Sequence, residues 1–217
     1  MPALSGIERV DLDPRVTFFV GENGSGKSTL VEALAVALKL NPEGGSRSYQ
    51  LPFSTRATHS RLHRRVAIDW AGLPPRNSFF LRAESVFNLG IEVLRPTKEM
   101  HNIYTGSLHE QSHGESFLDI AVNRLAPNGL YLFDEPEAAL SLRGQLALMQ
   151  RIHDLLDEDC QFVIATHSPV LVGFPDARIH LLDADGLHEI AYDEAPQVEL
   201  TRAFLDAPER FFRELLA

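Results

Sequence analysis

The chain has 217 residues, is 44% hydrophobic and carries a formal net charge of −10, which together are typical of one globular domain with a full core. No apolar run approaches the roughly 18 residues needed to span a bilayer, and there is no signal-peptide pattern, so we expect a cytoplasmic protein without membrane insertion. The negative charge argues against general attraction to nucleic acid, and the single cysteine, Cys160, can form no internal disulfide, as is usual in a reducing compartment.

Two strands are predicted at the start of the chain. Residues 6–12 alternate apolar and polar side chains, which predicts an exposed edge strand, whereas residues 16–20 are β-branched or aromatic, which predicts a buried strand. A helical pattern follows and ends at the Pro and Gly residues of the segment 41–45. The buried strand and this helix are joined by the segment Gly21, Glu22, Asn23, Gly24, Ser25, Gly26, Lys27, Ser28 and Thr29.

This connecting segment has the P-loop pattern in its usual context, after a strand and before a helix. Its glycines let successive backbone N–H groups point into one concavity, and the positive end of the helix dipole lies at the same place. Lys27 would reach the β- and γ-phosphates of a nucleotide, and the Ser28 hydroxyl would bind Mg²⁺. A glycine-rich turn that only caps a helix is the alternative. The pattern predicts a nucleotide phosphate site.

The middle of the chain has weaker patterns. Residues 41–60 predict a long surface loop, residues 66–70 and 78–82 predict two strands, and residues from about 83–125 predict a small irregular helical lobe. The run 55–65 contains four arginines and no acid. A local contact with nucleic acid therefore stays open there, although an acidic partner or the nucleotide phosphates would use this run equally well.

Two later strands end in polar side chains. Residues 130–133 are apolar and lead directly into Asp134 and Glu135, and residues 162–165 are apolar and lead into His167. Strands separated by helices predict a mainly parallel sheet, whose ligands bind at the carboxyl ends of the strands. Because the P-loop also follows a buried strand, we expect all three strand ends to meet at one edge of the sheet.

The C-terminal third completes an α/β pattern. Residues 142–156 have the spacing of an amphipathic helix, and residues 177–182 and 187–192 predict a hairpin around an Asp-Gly turn. The tail, from about residue 198 to 216, predicts two helical pieces that are split at Pro208.

The side chains predicted at the sheet edge have the chemistry of phosphoryl transfer, which needs neutralised phosphates, a bound metal ion and an oriented water. Lys27 would neutralise phosphate charge, and Ser28 and Asp134 are the candidate metal ligands. Glu135 is placed to orient the water as the general base. His167 would donate a hydrogen bond to the γ-phosphate. Each has a structural alternative: the two acids could cap the turn that follows, and a histidine taken singly is more often an ordinary surface or core residue.

Together these features resemble the ABC-type ATPases, including the SMC-like and recombination-repair heads and related prokaryotic AAA-type predicted ATPases. The resemblance rests on residues 21–28 as the Walker A motif, residues 130–135 as the Walker B motif with its catalytic glutamate, and His167 as the switch histidine. It implies a single P-loop ATPase domain over residues 1–217, with ATP and Mg²⁺ as its ligands and ATP hydrolysis as its reaction.

The same resemblance suggests further site residues. Ser112 and Gly114 look like parts of a degenerate form of the family's signature motif, and Glu84 stands where the family has the metal-contacting glutamine of its Q-loop. Gln50 is a rival candidate for that glutamine. In this family two heads pack head to tail with ATP between them, so the resemblance implies an ATP-dependent homodimer that acts on an unidentified protein partner.

Three functions remain open at this point. The first is a soluble ATPase head that works in nucleic-acid maintenance or defence, the second is the ATPase subunit of a transporter, and the third is a nucleotide-gated binding module with little turnover. The chain between Glu84 and Ser112 is too short for the coiled-coil arm of an SMC protein and short even for a transporter's helical lobe. This favours the first function.

Overall fold

The structure is a computed structural model that describes residues 4, 6–46, 60–83, 118 and 125–216. Four residues that the sequence suggested as site residues lie outside the described residues: Gln50, Glu84, Ser112 and Gly114. The same holds for most of the loop predicted at 41–60 and for most of the irregular lobe predicted at about 83–125.

The described residues form one sheet with helices on both faces. Its strands are β1 (Val16–Val20), β2 (Gly45–Ser46), β3 (Asn77–Arg82), β4 (Gly129–Asp134), β5 (Gln161–Ala165), β6 (Arg178–Asp183) and β7 (Gly186–Ile190). The helices are α1 (Lys27–Ala37), α2 (Leu142–Leu156), α3 (Pro196–Asp206) and α4 (Pro208–Leu215). None of the helices in the described part of the chain combines the length and the apolar composition needed to cross a membrane.

The strand order in the sheet is β2-β3-β4-β5-β1-β6-β7. The inner strands β3, β4, β5, β1 and β6 run parallel, and the edge strands β2 and β7 are antiparallel to their neighbours. This confirms the predicted mainly parallel sheet flanked by helices. Since β4, β5 and β1 are adjacent, their carboxyl ends lie side by side, as we expected from the sequence.

Both faces of the sheet are buried under helices. Phe18 and Phe19 are neighbours in β1 but belong to different apolar clusters, because successive side chains of a strand point to opposite faces. Val31 of α1 packs in the cluster of Phe19, while Leu148 and Ile152 of α2 pack in the cluster of Phe18. A strand covered on both sides has a continuous apolar sequence, which is why the inner strands could be recognised.

Two of the predicted strands are wrong. Residues 6–12 and 66–70 form no β-strand, and the edges of the sheet are β2 and β7 instead. Val10 and Trp70 are partly buried and pack against the cluster of Phe19. The alternation of these segments therefore reflects one-sided burial against the core rather than hydrogen bonding in the sheet.

The predictions for the C-terminal part are confirmed. Strands β6 and β7 form the expected hairpin, in which Gly186 adopts φ 119° directly after the turn. The tail is two helices, and Pro208 begins the second of them. Proline suits the first turn of a helix because its missing N–H would have no intrahelical acceptor there.

Candidate nucleotide-binding site

The loop between β1 and α1 has the backbone that a P-loop requires. Gly21, Gly24 and Gly26 have φ values of 143°, 78° and 115°, a left-handed region that favours glycine. Helix α1 begins at Lys27, and no side-chain cap bonds its first turn within the described residues. The N–H groups of that turn are therefore suited to an anion.

The polar side chains of this loop fit a phosphate ligand. The ammonium group of Lys27 is folded back onto the loop, where Nζ donates to the carbonyl oxygens of Gly21 and Glu22 at 2.9 Å each. Lys27 is only 3% exposed. The Ser25 hydroxyl oxygen is buried and has no hydrogen-bond partner within the described part of the chain. Buried polar groups normally have partners, and a phosphate oxygen would supply one here.

The conformation of Gly21 leads to a first prediction. A Cβ at this position would collide with the Leu182 carbonyl oxygen of β6, whereas a Cβ at Gly24 would meet no atom within 4 Å. Gly21→Ala should therefore lower the free energy of unfolding by about 3 kcal/mol or more, through strain and overpacking together. Gly24→Ala should cost only about 1–2 kcal/mol, which is the left-handed strain alone. Urea unfolding of both variants measures the difference, and equal losses would contradict this account.

Asp134, the last residue of β4, is 3% exposed. It is one of two acids that contact Arg82, and the sequence did not reveal these contacts. The Arg82 guanidinium reaches Asp134 Oδ2 from Nε at 3.3 Å, and its NH1 group reaches Glu32 Oε2 at 3.2 Å. Arg82 and Asp134 are directly paired in the β3–β4 register, and Glu32 belongs to α1. Arg82 therefore neutralises the buried acid and joins it to the P-loop helix.

A second prediction concerns this guanidinium. Arg82→Gln should lower the free energy of unfolding by about 3 kcal/mol, because it removes the cation that contacts the buried carboxylate of Asp134. Arg210→Gln is the matched control, since Arg210 makes an exposed pair with Glu214 that is worth about 1 kcal/mol or less. Thermal or chemical unfolding without added metal compares the two variants. Losses of similar size would show that Arg82 has no special role.

Glu135 and His167 meet at the same edge. Glu135 has φ 49° and ψ 52°, the left-handed region, and its backbone N–H donates to the Ala165 carbonyl oxygen at 2.9 Å. The Nε2 atom of His167 lies 3.5 Å from Oε1 of Glu135. Residues held in such a backbone conformation cluster at functional sites, because the strain persists only where the surrounding structure imposes it. The sequence located both residues but gave no sign of this conformation.

Lys27 lies within electrostatic reach of these acids. Burial lowers the pKa of Lys27 from its ordinary value, and the carboxylates of Glu135, Asp134 and Glu137 oppose that shift. The P-loop cation and the acids of the strand end therefore belong to one charged site.

The carboxylates of this site suit a magnesium ion that takes some of its coordinating oxygens from a bound nucleotide. No group of three or more His, Cys, Asp and Glu side chains in the described ranges could hold a metal ion alone. Magnesium is commonly held by one or two carboxylates together with the phosphates of a nucleotide. Asp134 beside the P-loop, with Ser28 in α1, fits such a site.

Glu137 is a site residue whose contacts the sequence did not reveal. Its Oε2 atom accepts a hydrogen bond from the Thr166 hydroxyl at 2.8 Å, and its Oε1 atom accepts one from the backbone N–H of His167. Because these partners follow a different strand, no local spacing pattern could have found the contact.

Comparison with known proteins agrees with this geometry. A family model described as an AAA domain matches residues 5–63, which include the P-loop. The chain is 29% identical over 175 residues to the zinc import ATP-binding protein ZnuC of Alkalilimnicola ehrlichii, covering 79% of this chain and 64% of that protein. It is 24% identical over 188 residues to an uncharacterized ABC transporter ATP-binding protein of Haemophilus influenzae, covering 78% and 70%.

Among solved structures, a putative cobalt transport ATP-binding protein is similar at 17% identity and a TM-score of 0.47, covering 85% of this chain and 72% of that one. The chain spans just under two thirds of the length of the ZnuC proteins that it matches in Alkalilimnicola ehrlichii and in Buchnera aphidicola.

The P-loop, the parallel sheet and the carboxylates at the end of β4 define an α/β protein of the P-loop class. Within that class, the chain is similar to the ATP-binding proteins of ABC transporters. The resemblance deduced from the sequence is thus confirmed at the level of this class.

Proposed function

We propose that this head binds ATP with Mg²⁺ in the loop of residues 21–29 and hydrolyses it. The observation that carries the proposal is that Lys27, Glu135 and His167 lie at one edge of the sheet. Glu135 lies 3.5 Å from His167, and the carboxylates raise the pKa of Lys27 against the effect of its burial. An ordinary helix-capping turn would not need a buried ammonium group beside three carboxylates.

Each residue has a defined task in this proposal. Lys27 exchanges the two loop carbonyls for phosphate oxygens, and the free N–H groups of α1 bind the same phosphates. Glu135 orients the attacking water and accepts its proton. His167, which touches Glu135, donates to the γ-phosphate. Ser28 and Asp134 would hold the magnesium ion, which neutralises phosphate charge when it is bound.

The remaining site residues and partners rest on the family resemblance. Glu84 would contact the metal ion, and Ser112 and Gly114 would bind the γ-phosphate of ATP held by a second copy of the chain. The proposed assembly is an ATP-dependent homodimer that acts on an unidentified protein partner, in nucleic-acid maintenance or defence.

A transporter subunit is the second candidate function. Its support is the description of the relatives, four of which are named as zinc import ATP-binding proteins. In that case the partner would be a membrane protein, and the tagged chain would copurify with membranes from cells. A chain that stays free of membranes while it remains active would favour the first candidate.

The direct test of the proposed function measures phosphate release from ATP by the purified protein, with Mg²⁺ and with a chelator, beside calorimetric ATP binding. Metal-dependent release is the expected result. Binding without release would select the nucleotide-gated binding module, and the absence of binding would overturn the proposal altogether.

A further inference from the structure

The segment after β5 is held by a carboxylate that belongs to the turn after β4. Glu137 lies in the short turn Pro136–Ala139 and accepts hydrogen bonds from the Thr166 hydroxyl at 2.8 Å and from the His167 backbone N–H. We call the three groups the Glu137 clasp. Hydrogen bonds to an ionised carboxylate are stronger than neutral ones and fix the geometry of their donors.

Within the Glu137 clasp, Thr166 is hydrogen-bonded to β1, the strand that precedes the P-loop. Thr166 is completely buried, and its backbone N–H donates to the Phe19 carbonyl oxygen of β1 at 3.1 Å. Its hydroxyl oxygen also accepts from the Ser168 N–H at 3.0 Å. The Ser168 hydroxyl in turn donates to Gln145 of α2 at 2.6 Å. Thr166 is therefore fixed to β1 on one side and to the turn after β4 on the other.

The clasp also orders the two residues proposed to act on the nucleotide. Glu137 holds the backbone of His167, while Glu135, the residue directly before the turn Pro136–Ala139, lies 3.5 Å from Nε2 of the His167 ring. The backbone and the ring of His167 therefore both lie against the segment 135–137. A shift of this turn would move Glu135 and His167 together.

We propose that Glu137 is a positioning residue: through Thr166 and the backbone of His167 it sets where His167 and Glu135 stand relative to the P-loop. This inference rests on the proposed ATP hydrolysis. The hydrogen bonds that Glu137 accepts come from Thr166 and His167. The removal of Glu137 therefore affects the rate of the chemical step and leaves binding nearly unchanged.

A competing explanation is that Glu137 matters only as a negative charge near Lys27, whose pKa it helps to raise. Thr166→Val separates the two explanations, because it removes the hydroxyl donor and leaves every charge in place. Thr166→Ser keeps the hydroxyl and serves as the conservative rescue. Glu194→Ala is the matched control, since Glu194 also accepts a backbone N–H, that of Ala191 at 2.8 Å, but lies outside the site.

The test compares kcat, the Kd for Mg-ATP and the unfolding midpoint of the full chain for each variant. Glu137→Ala and Thr166→Val should each lower kcat by about 10–100-fold, the usual loss when a supporting residue of a site is removed, with little change in Kd. Thr166→Ser and Glu194→Ala should keep kcat near that of the unchanged protein. Normal kcat per folded molecule in Thr166→Val, or a Kd that rises as much as kcat falls, would overturn the proposal.

A second readout does not depend on hydrolysis. Without nucleotide, amide hydrogen exchange should become faster at His167 in Glu137→Ala and in Thr166→Val, but not in Glu194→Ala. If the unchanged protein hydrolyses no ATP, the proposed function fails, and this exchange measurement alone decides whether the clasp holds His167. Unchanged exchange would then overturn the inference as well.

Discussion

Replacing Glu135 by Gln should reduce ATP turnover by about 10²–10⁴-fold, which is the usual contribution of a general base. Glutamine has the shape of glutamate and adopts the left-handed backbone at this position no less readily, so the turn after β4 should keep its place. ATP binding should persist. If two heads close on ATP, the slow variant should also accumulate as a dimer, because hydrolysis no longer separates the subunits.

The measurement combines phosphate release with light scattering, each with and without Mg-ATP. Glu199→Gln is the control, since Glu199 is exposed on α3 and distant in sequence from the P-loop and the strand ends. A Glu135→Gln protein that hydrolyses ATP at the normal rate would exclude Glu135 as the general base. A variant that binds ATP but stays monomeric would contradict the proposed homodimer.

Replacing Lys27 by Met should weaken ATP binding by about 100-fold. The loss of a charge-assisted hydrogen bond to phosphate costs about 2–3 kcal/mol, and each 1.4 kcal/mol is worth a factor of ten in affinity. Methionine keeps the length and apolar stem of the side chain, so the buried space beside Gly21 stays filled. Calorimetric titration with ATP measures the change.

Lys39→Met is the matched control for this prediction. Lys39 follows the end of α1 and is exposed, so its loss removes the same charge from the chain without touching the loop. Its variant should bind ATP with unchanged affinity. Equal weakening in both variants would mean that Lys27 contributes only through the overall charge of the protein.

The inner strands could be predicted from sequence because a strand that is buried on both faces has a continuous apolar run. The P-loop could be predicted because its pattern directly follows such a strand. That logic placed the polar residues after β1, β4 and β5 at one edge, and the strand order confirms their adjacency. The same logic failed for residues 66–70. Trp70 is partly buried against the core, but burial does not distinguish a strand from an extended segment that has no pairing partner.

The contacts that set the geometry of the site were beyond the reach of local patterns. Arg82 was visible only as the end of a strand, and its partners Glu32 and Asp134 come from a helix and from another strand. The link from Glu137 to Thr166 likewise joins two strand ends. Such pairs depend on which strands become neighbours, and spacing along the chain does not contain that information.

The central position of β1 has a consequence for the order of events during synthesis. Val16 pairs with Phe162 of β5, and Thr17 pairs with Arg178 of β6, so both neighbours of the P-loop strand belong to the second half of the chain. A ribosome delivers β1 long before either neighbour has emerged. Pairings that are distant in sequence form slowly, because the intervening chain must first be ordered. The nascent P-loop strand therefore lacks both of its neighbours in the sheet until residues 161–183 have left the exit tunnel, and its apolar side chains stay uncovered by them for that time.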